Sequence, residues 1–295
     1  MLNLQGSLTA LATPFREGRF DEEAYRTLIA DQLQQGTAGL VPVGTTGEAV
    51  TLSSAERARV VRVAVEAARG RVPVVGGAGS NSTQATIESI AQVREAGADG
   101  ALVVTPYYNK PNQAGLFEHY RACARAHPGF PLVPYNVPGR TGCDLLPDTC
   151  LRLCDLPEVV ALKEATGSLV RAVDIREKCG DRLTLLSGDD FTVAAFIAVG
   201  GEGVISVSSN VAPRKMADLV AAARAGERTR ARDLQVELNA LHRLLFVEPN
   251  PIPVKWALHL LWRFSAELRL PLVPLGEPHA TALGAELRRL GLLRA

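Results

Sequence analysis

Hydrophobic and polar positions along this chain fall into blocks of two kinds. Eight short apolar runs recur: SLTALATP, GLVPVG, VPVVGGAG, GALVVTP, PLVPYN, VVALKE, LTLLSG and EGVISV. Between them lie longer segments whose apolar residues repeat at helical spacing, such as SSAERARVVRVAVEAARG and STQATIESIAQVREAGA. One run follows the next after about 20 to 34 residues, the length of a strand plus a crossover helix. Strands that read as nearly continuous apolar runs are buried on both faces, which implies a parallel sheet. Eight such units without a ninth predict a closed (β/α)8 TIM barrel, with an open doubly wound sheet as the alternative.

Helix punctuation supports these boundaries. Ser53 with Glu56 reads as a capping box, and Gly70, Gly97 and Gly180 follow helical stretches where a left-handed glycine ends a helix. After residue 226 the texture changes. ERTRARDLQVELNALHRLLF and PVKWALHLLWRFSAEL are amphipathic helices joined by the proline-rich VEPNPIPV. The pattern predicts a barrel domain over residues 1–226 and a small all-helical C-terminal domain over residues 227–295.

Composition narrows the function. A chain of 295 residues with 47% hydrophobic side chains can bury a large core. The 32 basic and 31 acidic side chains nearly cancel, so neither nucleic acid nor a membrane surface is an expected partner. MLNLQGSLTALATPF has no basic segment followed by an unbroken apolar stretch, and no run approaches the roughly 20 residues that span a bilayer. A cytoplasmic protein is expected. The five cysteines form no disulfide framework in so long a chain, and Cys150 and Cys154 have no histidine near them. The five histidines lack ligand spacing, so no metal is expected. Asp189 and Asp190 read as loop-capping carboxylates rather than magnesium ligands. GGAGSN has neither phosphate-loop spacing and reads as glycines that let the backbone crowd a barrel mouth.

In a barrel of this kind the reactive face lies at the C-terminal ends of the strands. There the sequence places Gly44-Thr45-Thr46, Tyr107-Tyr108, Tyr135, Lys163 and Gly188-Asp189-Asp190. Strand alternation gives Lys163 the same face as Val159 and Ala161, opposite Val160, Leu162 and Glu164. One parity puts the lysine inside the mouth, where loss of water lowers its pKa and frees the amine for attack on a ketone. The other parity sends it outward to solvent or an acid. Tyr135, Thr45 and Tyr108 supply hydroxyls for the proton transfers that Schiff-base chemistry needs, or else pack as ordinary side chains. Thr45 and Thr46 either aim amides at a carboxylate or form a plain turn, and Arg140 either grips a second carboxylate or is solvated. Pro134 removes a ladder donor directly before Tyr135 and predicts a bulge that aims the tyrosine.

Taken in order, GTTGEAVTL, VTPYYNKP, YNVPGRTG, ALKEATG, LLSGDD, GVISVSSN and VEPNPIPVKW resemble the motifs of the dihydrodipicolinate synthase family over essentially the whole chain. That family is of the pyruvate-dependent class I aldolase type and serves the lysine and diaminopimelate pathway. The resemblance implies a lyase that joins pyruvate to L-aspartate 4-semialdehyde without a cofactor. It makes Lys163 the Schiff-base lysine and Tyr135, Thr45 and Tyr108 a proton relay, with Tyr108 reaching in from a neighbouring subunit. It gives Thr46 to the pyruvate carboxylate, Arg140 to the carboxylate of the semialdehyde, and Gly188 and Ile205 to the pyruvate pocket. The implied assembly is a homotetramer built as a dimer of dimers.

Two alternatives accompany that reading. Sister Schiff-base aldolases, N-acetylneuraminate lyase and the 2-keto-3-deoxygluconate type, share the barrel and the lysine, but Arg140 favours a short amino-acid aldehyde over a sugar. A non-catalytic barrel that senses a keto acid is the other. Many lysine-inhibited members carry a histidine and a glutamate where this chain has Arg57 and Ala85, although Asn81 and Tyr107 of the effector site are retained. Weak or absent inhibition by lysine is expected.

Overall fold

The computed structural model describes residues 2, 4–262 and 264–293. Each of the eight apolar runs contains a strand: β1 (Gly6–Ala10), β2 (Gly39–Val41), β3 (Val75–Gly77), β4 (Gly100–Val104), β5 (Leu132–Asn136), β6 (Ala161–Glu164), β7 (Thr184–Ser187) and β8 (Gly203–Ser206). They pair in parallel in the order β2-β1-β8-β7-β6-β5-β4-β3. A bridge between Leu40 and Val74 joins the two ends. The Gly77 amide donating to the Pro42 carbonyl at 2.9 Å reinforces that seam, so the sheet is a TIM barrel. A two-stranded hairpin, Phe15–Arg16 with Arg19–Phe20, follows β1 and was not expected.

Around the barrel run α1 (Glu22–Gln35), α2 (Ser54–Ala68), α3 (Thr83–Glu95), α4 (Gln113–Ala126), the short α5 (Pro138–Thr141), α6 (Pro147–Leu153), α7 (Leu169–Cys179), α8 (Val193–Ala198) and α9 (Pro213–Arg224). The capping box at α2 is present, with Ser53 and Glu56 satisfying each other's backbone amides. The cap at the other end of α2 is Arg69, itself left-handed at φ 51°, one residue ahead of the expected Gly70. The GGAG segment does serve close approach. A Cβ on Gly77 would lie 1.9 Å from the Val43 carbonyl oxygen, so only glycine lets the β2 loop settle over β3.

Burial sorts the side chains into three clusters. Leu8, Val41, Leu102, Val133, Ala161 and Leu186 point inward and fill the barrel. Strand residues of the opposite parity, such as Val103 and Leu162, pack outward against helix residues such as Tyr25, Leu28 and Leu116. The third cluster lies where α8 and α9 meet α10 (Arg228–Leu245), α11 (Ile252–Trp262) and α12 (Glu277–Arg289). Leu238, Leu241 and Leu245, spaced one or two turns apart on α10, are fully buried there and stabilise the contact by about 2 kcal/mol each.

Among the described residues, strand alternation fails between β5 and β6. On β5, three steps separate Leu132 from Tyr135, yet their register partners Val159 and Lys163 are four apart. The β4–β5 ladder runs through Pro134 without interruption. The bulge expected at Pro134 therefore falls on the neighbouring chain segment, at residues 160–162, rather than on β5. Proline has no N–H to hold β6 in step, and the partner gains one residue. This corrects the expected parity of β6: Val159 packs outward with Leu162, whereas Val160 packs against the inward cluster with Ala161.

Candidate active site

Because the bulge absorbs the extra residue, Lys163 keeps its register with Tyr135 and points inward, behind an apolar strand. Only 6% of its surface is exposed. Burial pulls its pKa from the ordinary 10.5 down to about 8, with the Asp190 charge opposing the fall and Arg140 adding to it. Desolvation penalises the ammonium and leaves the neutral amine nearly unaffected. The Nζ stands 4.2 Å from the centre of the Tyr135 ring, as the pairing of Tyr135 with Lys163 in the sheet requires.

Tyr135 is buried too. Its phenol is pushed above the usual value by burial, while Arg140 and a hydrogen bond with Thr45 pull the other way. Thr45 sits in the β2 loop, where Val43 and Glu48 both take left-handed backbone conformations, at φ 57° and 54°. A β-branched residue in that region is strained and persists only where its surroundings hold it. The restraint here is an ion pair: Lys255 of α11 meets Glu48 at 2.6 Å, both fully buried, and the Arg269 amide donates to the other Glu48 oxygen at 3.1 Å.

A cavity of about 350 Å³ opens over these groups, with Thr45, Tyr107, Tyr135, Arg140 and Arg57 in its wall. Arg140 rides on α5 at the end of β5, and its guanidinium reaches the Asn250 carbonyl at 3.4 Å. Thr46 is buried below, its hydroxyl accepting from the Asn250 side chain at 2.9 Å, and it is not among the wall residues. Lys163, Gly188 and Ile205 are likewise not among the wall residues, although Tyr135, the neighbour of Lys163, is. Gly188 touches the lysine directly, since a Cβ there would sit 2.9 Å from Lys163 Cε. Ile205 is an inward residue of the barrel cluster.

Tyr108 stands apart. It is 88% exposed, left-handed at φ 73°, and absent from the cavity wall of its own chain. Asn81 is outside the wall as well, its carbonyl accepting from the Asn109 side chain at 2.8 Å. Ala85 lies in the first turn of α3 and donates its amide to the Ser82 cap. Asp189 and Asp190 both act within loops: Asp189 accepts from the Thr192 hydroxyl at 2.6 Å, and Asp190 from the amides of Val207 and Ser208. Among the described residues no cluster of three or more histidine, cysteine or acidic side chains is placed to hold a metal ion.

Sequence reasoning missed Asn250, Glu48 and Lys255. The proline-rich VEPNPIPV reads as a connector, yet its asparagine ties Thr46 to Arg140. One signal was available: a lysine on the apolar helix that follows, the same anomaly that marks Lys163.

A buried amine beside a phenol, under a cavity edged by arginine, suits imine chemistry on a small keto acid. Comparisons with known proteins agree. The sequence profile of the dihydrodipicolinate synthetase family matches residues 3–290. The chain is 53% identical to a 4-hydroxy-tetrahydrodipicolinate synthase from an Anaeromyxobacter species, over 99% of both chains. It is 51% identical to the enzyme of that name from Nitratidesulfovibrio vulgaris, over 99% of this chain and all of the other. Among solved structures, the dihydrodipicolinate synthase of Acinetobacter baumannii, crystallised with pyruvate, superposes with a TM-score of 0.96 at 42% identity, covering 99% of this chain and all of that one. The chain belongs to the dihydrodipicolinate synthetase family.

Proposed function

We propose that the protein has 4-hydroxy-tetrahydrodipicolinate synthase activity, a lyase-class condensation of pyruvate with L-aspartate 4-semialdehyde. The observation that carries this reading is the Lys163 amine, buried at the barrel mouth 4.2 Å from the Tyr135 ring. Lys163 attacks the keto carbon of pyruvate and forms an imine, whose loss of a methyl proton gives the enamine that adds to the aldehyde. Tyr135 carries the protons, with Thr45 linking its phenol outward. The Thr45–Thr46 turn receives the pyruvate carboxylate, and Arg140, at the cavity wall, orients the carboxylate of the semialdehyde. Gly188 and Ile205 shape the floor.

Tyr108 completes the relay in a second copy of the chain, which its exposure and its absence from its own cavity favour. The working unit is then at least a dimer, and a dimer of dimers is the assembly we infer. Residues 1–226 serve as the catalytic barrel and residues 227–295 as a helical buttress. Among the described residues no helix is long and apolar enough to cross a membrane, and we place the enzyme in the cytoplasm. With Arg57 and Ala85 at the effector positions, lysine inhibits weakly or not at all.

The test is direct. Pyruvate and borohydride are expected to leave a reduced adduct on Lys163, detected by peptide mass spectrometry. A coupled assay is expected to show turnover with aspartate semialdehyde far above that with sugar-derived aldehydes. An unmodified Lys163 refutes the mechanism, and a preference for sugar aldehydes refutes the substrate.

A further inference from the structure

The loop after β7 passes against the Lys163 side chain. Leu186 is the register partner of Lys163, and Gly188 leaves room for its Cε. Two residues on, Asp190 is buried. Its Oδ2 accepts from the amides of Val207 and Ser208, at 3.0 and 2.9 Å. Its Oδ1 is buried as well and has no hydrogen-bond partner. A buried carboxylate with an unsatisfied oxygen is costly unless positive charge stands near it, and Lys163, whose Cε lies against Gly188 of the same loop, is a buried amine on which its charge acts.

Helix α10 fixes that loop from behind. Gln235 donates to the Asp190 carbonyl at 2.9 Å and accepts from the Ala194 amide at 3.1 Å. His242 places Nδ1 2.8 Å from Ser208 Oγ and meets the Phe191 ring edge-on at 5.9 Å. We propose that Asp190 is the counter-ion of the Lys163 amine and of the cationic imine formed on it, a positioning residue held in place by α10.

This inference rests on the Schiff-base reading. In that step a C–N bond forms between Nζ and the keto carbon, and the carbonyl oxygen leaves as water. One of the water's protons comes from the nitrogen and one from the Tyr135 phenol. The nitrogen keeps one hydrogen and a full positive charge, and the phenolate left behind later removes the methyl proton. Asp190 meets this cation with a negative charge already in place, so nothing must reorganise as the charge develops. The charged and titratable groups around the pair are few. Tyr135 and Arg140 face Lys163 from the β5 side. Asp189 and His242 face Asp190, and burial holds the His242 imidazole below its ordinary pKa against the pull of both aspartates.

Asp190→Asn keeps the shape and removes the charge. Borohydride trapping of pyruvate on Lys163, followed against pH by intact mass, is expected to show its acid-side midpoint lowered by about half a unit or more. Above both midpoints, the pyruvate concentration for half-maximal trapping is expected to rise about tenfold, because the cationic imine has lost its partner. If Asp190→Asn does not fold, Gln235→Ala carries the test: it frees the loop without removing the charge, and a smaller fall in midpoint is expected. Trapping that drops at every pH with an unmoved midpoint means a merely structural role and overturns the proposal. No Lys163 adduct in the unaltered protein overturns the Schiff-base reading beneath it.

Discussion

Lys163 on β6 and Lys255 on α11 make an instructive pair. Both are buried, at 6% and 3% exposure, and both hold Nζ over an aromatic ring, at 4.2 Å from Tyr135 and 4.1 Å from Phe15. Burial depresses the pKa of each. What separates them is Glu48, which meets Lys255 at 2.6 Å, whereas Asp190 acts on Lys163 without a direct ion pair. A lysine pinned by a carboxylate is kept charged and spends its three donors on structure. A lysine with only a distant counter-charge keeps a lone pair within thermal reach. Burial alone, then, does not free an amine for attack; burial without a contacting acid favours the neutral form that the proposed mechanism needs.

The sharpest break of this comparison is Lys163→Ala, expected to lower kcat on the order of 10⁴-fold or more while the thermal melt stays close to that of the unaltered protein. Its counterpart is Glu48→Gln, which leaves Lys255 buried and unpaired. Urea denaturation is expected to show a loss of about 3–5 kcal/mol. Gly188→Ala comes next. Its methyl would crowd Lys163 Cε at 2.9 Å and Ala165 Cβ at 2.6 Å, and displacing the amine by a fraction of an ångström is expected to cost about 10²-fold in kcat.

The pH profile sharpens the contrast. In the proposed mechanism the reactive form of Lys163 is the unprotonated one, which prevails as pH rises above about 8. Trapping with borohydride is expected to fall about tenfold for each unit below that value and to level off above it. An ordinary lysine would keep rising toward pH 10. The smallest effect belongs to the double variant Glu48→Leu with Lys255→Met. Replacing both partners of a buried pair removes the desolvation cost together with the attraction, so a loss of only about 1–2 kcal/mol is expected, part of it from the Arg269 amide left without its Glu48 acceptor.

Much of this was legible in the residues. Parallel strands buried on both faces must be apolar throughout, so all eight stood out, and Lys163 was visible as the charge that breaks one of them. Its direction was not legible. Alternation alone gave Lys163 the company of Val159, and only the register of β5 against β6 shows that one residue is gained between them. Lys255 broke an apolar helix in the same visible way, but its meaning depended on Glu48, 207 residues earlier in the chain. Pairings across such distances are set by how the barrel closes, which no local pattern records. Asn250 was hidden for another reason: prolines on both sides made it look like linker.

The gained residue at 160–162 has a consequence for how such a barrel can vary. Side chains on a regular strand switch faces at every step, so if the four steps from Val159 to Lys163 ran without the bulge the ammonium would emerge among the helices and Leu162 would occupy its place in the mouth. The phase of β6 is thus set by an imino acid on β5. The two strands form one heritable unit: a barrel assembled from halves that divide them would keep its lysine in the sequence and lose it from the pocket.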